Sequence, residues 1–128
     1  MEGKKILVVD DEPEIVELYR ELFTQAGYKV LSAESAEEGL EIQKKENCWV
    51  AFLDLKLPGM NGVELCRKLK QEYPITIAYA VTGYGSLFEL SDCREAGFDD
   101  YFKKPVSLAV LLKAAENAFE KLERWKQK

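Results

Sequence analysis

Short apolar runs alternate along this chain with stretches whose apolar positions recur every three or four residues. Residues 6–9 (ILVV) form a run fit for a strand buried on both faces, and Ile15, Leu18 or Tyr19, Leu22 and Ala26 then follow at helical spacing up to Gly27. Residues 28–31 predict a second strand, and the capping box SAEE at 35–38 opens a helix running to about Glu46. Residues 49–53 predict a third strand. The turn PGMNG follows, with Asn61 placed to cap a helix whose apolar positions are Leu65, Cys66, Leu69 and Tyr73. Residues 75–81 predict a fourth strand. A second capping box, SLFE at 86–89, opens a helix closing near Gly97, residues 101–102 predict a short fifth strand, and Ser107 caps a last helix to about Lys126.

Strands alternating with helices in this way predict an α/β domain, residues 1–128, with a parallel sheet covered on both faces and right-handed crossovers. In such sheets ligands sit beyond the carboxyl ends of the strands. Asp10 and Asp11 follow the first strand, Asp54 the third, Thr82 the fourth and Lys104 the fifth, so the conspicuous polar residues fall on one edge.

Composition narrows the function classes. With 47% hydrophobic and 32% charged residues the chain reads as a globular domain. Its 18 basic and 23 acidic residues give a net charge of −5, with no basic tract, which argues against direct binding to nucleic acid or anionic membrane. The apolar runs are far shorter than the roughly 20 residues of a membrane-spanning helix. The start MEGKK lacks the apolar stretch of a signal peptide, and a cytoplasmic location is expected. Cys48, Cys66 and Cys93 follow no metal-binding or redox spacing and read as reduced core residues. Histidine is absent, so phosphate arriving through histidine would have to come from a partner.

An acidic residue after a strand is by itself explained as a helix cap, and Asp11 before Pro13 fits that role. Asp54 does not, because the next helix starts some eight residues later. Brought within a few ångströms, carboxylates repel, and at least one must protonate unless a cation is supplied. With oxygen ligands only, that cation is Mg²⁺. A carboxylate beside Mg²⁺, a lysine and a hydroxyl is equipped to attack a phosphoryl group, with the metal and Lys104 neutralising its oxygens and Thr82 donating a hydrogen bond.

The stretches ILVVDDEP, FLDLKLPGMNGVEL, VTGYG and AGFDDYFKKP resemble, in order and across nearly the whole chain, the motifs of the receiver domain of two-component response regulators. The resemblance implies a flavodoxin-like, doubly wound five-stranded sheet of order 2-1-3-4-5 flanked by five helices. It implies that Asp54 is the phosphoacceptor. Asp11 would bind Mg²⁺ directly and Asp10 largely through water, with Asp54 and the backbone carbonyl of Lys56 completing the protein ligands. Thr82 and Lys104 would contact the phosphoryl group, Tyr101 would change rotamer on activation, and the Lys104–Pro105 peptide would be cis. The implied partners are a sensor histidine kinase or histidine phosphotransfer protein, and a target or output domain on the face of the fourth helix, fifth strand and fifth helix. Leu87 and Phe88 are candidates for exposure there.

Such a domain catalyses only its own phosphorylation and dephosphorylation. The chain then reads as a stand-alone regulator or phosphorelay intermediate, or as a receiver controlling an output domain absent from it. An acyl-phosphate hydrolase would want a second acid two residues after the nucleophile, where Lys56 stands; a flavodoxin-like binding module would want a Ser/Thr/Gly-rich loop where DDEPE stands. Lys56 and Tyr84 flank the expected path of the hydrolytic water and are expected to slow loss of the phosphoryl group. Tyr79 departs from the family's usual small aliphatic and is expected to be accommodated by core packing. In the last helix, Leu108, Leu112, Ala115, Phe119 and Leu122 suit packing on the sheet, and also a continuing coiled coil that the position of Trp125 keeps open.

Overall fold

The computed structural model of the chain describes residues 3–83 and 87–126, the side chains of 87–89 excepted. The order is β1 (Lys5–Val9), α1 (Pro13–Gln25), β2 (Lys29–Ala33), α2 (Ala36–Glu46), β3 (Val50–Leu53), α3 (Gly62–Glu72), β4 (Ile77–Thr82), α4 (Leu87–Ala96), β5 (Asp100–Lys103) and α5 (Leu108–Lys126). All strand pairs are parallel and the sheet order is β2-β1-β3-β4-β5, as the resemblance implied.

Helices on both sides explain why the central strands are uninterrupted apolar runs. Ile6 and Val8 of β1, Phe52 of β3 and Tyr79 and Val81 of β4 pack with Tyr19 and Phe23 of α1 and with Leu111, Ala115, Phe119 and Leu122 of α5. Leu7, Val9, Ala51, Leu53 and Ala78 face the other way, onto Leu65, Cys66 and Leu69 of α3 and Ala36 of α2. The layers differ in kind. On the α1/α5 side, aromatic rings run across the sheet: Phe23–Phe52 at 5.0 Å between centroids, Phe52–Tyr79 at 5.2 Å and Tyr79–Phe102 at 5.7 Å. On the other side small residues let the helices come close, and a β-carbon on Gly39 of α2 would stand 3.0 Å from Val9 Cγ2.

Tyr79 is accommodated by this asymmetry. Its ring lies among Phe52 and Phe102, its chain neighbours Ala78 and Ala80 point to the opposite side of the sheet, and its hydroxyl donates to the Ala114 carbonyl of α5 at 3.1 Å.

Local signals act largely as expected. Ser35 Oγ accepts from Glu38 N at 3.2 Å, while the Glu38 carboxylate reaches back to Glu34 N at 2.6 Å, one residue earlier than in a standard capping box. Asn61 accepts from Glu64 N at 2.9 Å. The Ser107 carbonyl accepts from Leu111 N at 3.1 Å, placing Ser107 at the start of α5. The capping box at 86–89 lies outside the described residues, as do the side chains of Leu87 and Phe88.

Two expectations are corrected and one alternative is resolved. β4 starts at Ile77, because its pairing partner β3 starts at Val50; Thr76 N turns back onto the Tyr73 carbonyl, leaving Ile75 exposed. On α1, Tyr19 is the inward residue and Leu18 is exposed. On α5 the inward stripe begins at Leu111 and includes Ala114 and Ala118; Leu108 is exposed at the first turn, and Trp125 is exposed at the last.

Candidate functional site

Ladder hydrogen bonds continue past the strand ends and carry three charged residues to one point. Asp10 N donates to the Ala33 carbonyl at 3.1 Å, Asp54 N to the Val9 carbonyl at 2.9 Å and Lys104 N to the Thr82 carbonyl at 2.8 Å. Asp10 and Asp54 are thereby buried at the carboxyl edge of the sheet, 3% and 6% exposed. Lys104 Nζ lies 2.8 Å from Asp10 Oδ2, 3.3 Å from Asp54 Oδ2 and 3.4 Å from Glu12 Oε1. Asp10 Oδ1 accepts from Glu12 N at 2.9 Å, which bends the chain into α1. Asp54 Oδ1 accepts from Lys56 N at 3.3 Å.

Carboxylate oxygens of Asp10, Asp11, Glu12 and Asp54 all lie within 4.8 Å of one another. Burial raises the Asp10 carboxyl above the usual aspartate value, against the pull of the Lys104 hydrogen bond and the Glu12 amide. Burial also works against the Lys104 charge, but the hydrogen bond to Asp10 and the charges of Asp10 and Asp54 outweigh it and hold the ammonium above the ordinary lysine range. The lysine is a fixed cation between two buried anions.

Thr82 is fully buried at the end of β4, in register with Lys103. Tyr101 is half-buried on β5, in register with Ala80, and packs against Leu55, Ala80 and Cys93. The Lys56 side chain is exposed. Tyr84 lies outside the described residues. The Lys104–Pro105 peptide is cis. All three cysteines are buried thiols outside any disulfide, and burial pushes the Cys48 thiol up to about 11 and the Cys66 thiol up to about 12.

Two site residues escaped the sequence reading. Glu12 lies within the stretch DDEPE, and nothing in its spacing announced a contact with a lysine 92 positions away. Gly62 read as part of a turn. It is the first residue of α3, and a β-carbon there would collide with the Asp54 carbonyl. A glycine directly after a cap residue was the available signal.

Among the described residues no helix is long and apolar enough to cross a membrane. Comparison with known families matches the response regulator receiver domain over residues 6–116. The chain is 33% identical to sporulation initiation phosphotransferase F of Bacillus subtilis, over 84% of this chain and 87% of that protein. The crystal structure of a CheY-like response regulator receiver domain protein from Methanospirillum hungatei superposes with a TM-score of 0.92 at 35% identity, covering 95% of this chain and 98% of that one. A BeF3-activated DrrB receiver domain superposes with a TM-score of 0.86 at 31% identity, covering 92% and 98%. Other curated relatives are longer, and the chain spans 28% and 44% of the length of two of them.

Proposed function

Because the chain belongs to the response regulator receiver family, we propose that it is a phosphorylation-controlled switch in two-component signalling, taking a phosphoryl group onto Asp54 from a phosphohistidine of a sensor histidine kinase or histidine phosphotransfer protein. The observation that carries this reading is the convergence of three strand ends, with Lys104 Nζ within 3.3 Å of both buried carboxylates. A carboxylate oxygen of Asp54 attacks the donor's phosphorus. A new P–O bond forms while the bond from phosphorus to the donor breaks, and its electron pair leaves with the donor. Lys104 neutralises charge on the phosphoryl oxygens, and the Thr82 hydroxyl donates a hydrogen bond to one of them. That the BeF3-activated DrrB domain shares this fold supports the reading.

The residues present fit Mg²⁺: clustered hard oxygen donors, within 4.8 Å of one another, gathered around a single lysine. Asp10, Asp11, Asp54 and the backbone carbonyl of Lys56 would hold the ion, which when bound supplies positive charge to the transferring group.

The phosphoryl group adds about two negative charges and three acceptor oxygens next to Thr82. Thr82 and Tyr101 lie on neighbouring strands, so a threonine drawn towards the phosphoryl group frees space that the Tyr101 ring can take. Tyr101 lines a surface groove of about 390 Å³ with Leu90, Cys93, Arg94, Phe98 and Asp100, between α4 and β5. Leu90 of α4 and Leu108 and Val110 of α5 are exposed. The α4–β5–α5 face is the surface for a downstream target or an output domain.

Incubation with Mg²⁺ and acetyl phosphate tests this. Intact mass should show a gain of one phosphoryl group, absent when the metal is chelated before the donor is added and absent in Asp54→Asn. The same gain in that variant would move the acceptor elsewhere.

A further inference from the structure

An ammonium group has three N–H donors. On Lys104 three carboxylates take them up, so a phosphoryl group arrives as a further acceptor, and the third carboxylate, Glu12, has no part in the transfer chemistry proposed above. We infer that Glu12 is a positioning residue that competes with the incoming phosphoryl group for Lys104, and so loosens the site's grip on that group. The inference rests on the function proposed above.

Glu12 stands at the N-cap position of α1, where a short polar side chain would bond the free helix amides, yet its side chain makes no cap hydrogen bond. Its carboxylate lies 3.4 Å from Lys104 Nζ instead. Its backbone is held by Asp10, whose Oδ1 accepts from Glu12 N at 2.9 Å, so the side chain starts from a fixed point beside the lysine. Among the three carboxylates Glu12 is the exposed one, with 62% of its side chain accessible against 4% for Asp10 and 6% for Asp54. It makes the longest contact and water can replace its partner, so it is the acceptor that yields first. A doubly charged phosphoryl group on Asp54 needs the same ammonium, and meets Glu12 both as a rival acceptor and as a like charge. Because Glu12 is largely exposed, solvent screens the effect to that of a surface ion pair, roughly two- to fivefold in affinity.

The test uses beryllofluoride, a phosphoryl mimic, titrated into the full chain with saturating Mg²⁺ and followed by calorimetry. Glu12→Gln keeps the length and removes the charge. Glu12→Asp keeps the charge, but is one methylene shorter and is drawn to the free amides of the helix. Both variants should lower the half-saturating beryllofluoride concentration roughly two- to fivefold, with the gap narrowing at high salt. Mg²⁺ affinity measured without beryllofluoride should not rise in Glu12→Gln, since that variant loses a carboxylate within 4.8 Å of the other acidic oxygens, so tighter beryllofluoride binding at saturating Mg²⁺ is not inherited from the metal. Unchanged or weaker beryllofluoride binding in Glu12→Gln would overturn the inference. So would tightening in Glu12→Gln without tightening in Glu12→Asp, since charge alone and not the contact with Lys104 would then be responsible. A parent protein that binds no beryllofluoride would overturn the proposed function, and this inference with it.

Discussion

A β-carbon on Gly62 would stand 2.1 Å from the carbonyl oxygen of Asp54 and 2.8 Å from the Leu55 α-carbon. The amino end of α3 is therefore pressed directly onto the backbone of the proposed acceptor, and Gly62 N donates to the Leu55 carbonyl at 3.0 Å. The acceptor is held from one side by β1, through Asp54 N and the Val9 carbonyl, and from the other by this helix end.

Gly62→Ala should consequently disturb both stability and chemistry. The clash is with backbone atoms, which cannot swing aside, so the β3–α3 connection must shift. A loss of about 1–3 kcal/mol is expected by urea denaturation, the range of overpacking substitutions. Phosphorylation of the folded fraction by acetyl phosphate should slow, because Asp54 moves relative to Lys104. A variant as stable and as fast as the parent would show that the loop absorbs the methyl group.

Gln43 is a second buried constraint, at the opposite edge of the sheet. It is 1% exposed, its amide donates to the Cys48 carbonyl at 2.7 Å, and its oxygen accepts from Cys48 N at 2.9 Å. Gln43→Leu should leave both Cys48 backbone groups buried without this partner, at a cost of about 2–4 kcal/mol. The midpoint of urea unfolding reports it. Phosphorylation of the folded protein should be unaffected, since the contact lies at the far end of β3.

The Tyr79 hydroxyl gives a pH signature. Burial raises its pKa from 10.0 to about 12. Between those two values the unfolded chain gives up this proton while the folded chain keeps it, so stability is fully present below pH 10 and falls as pH rises towards 12. Tyr79→Phe keeps the ring contacts but loses the bond to the Ala114 carbonyl. It should be less stable by about 1 kcal/mol at neutral pH, with the difference shrinking across the alkaline window. Denaturation curves at a series of alkaline pH values check this, and the buried cysteines cancel in the comparison. A difference that stays constant would mean that the hydroxyl titrates alike in both states.

The order of elements was legible because both-face burial turns strands into unbroken apolar runs, while Ser35 and Asn61 mark helix starts with short side chains that reach only local amides. Strand ends were less legible. Pairing, and not apolarity, decides where β4 begins, and Ile75 lies outside the ladder because β3 supplies no partner for it. The inward face of α5 was misjudged at Leu108, which is exposed, because the buried stripe begins one turn later at Leu111. At the site, residue type and strand-end placement pointed to Asp10, Asp54, Thr82 and Lys104. The contact between Glu12 and Lys104 and the pressure of Gly62 on Asp54 were hidden, since both depend on distances between segments far apart in sequence.

Reductive trapping tests the central claim most directly. Borohydride converts an aspartyl phosphate to homoserine, marking the acceptor permanently. After incubation with Mg²⁺ and acetyl phosphate, reduction and peptide mass mapping, homoserine should stand at position 54 and at no other aspartate. Homoserine at position 10 or 11, or a phosphorylated protein that yields none, would contradict the account.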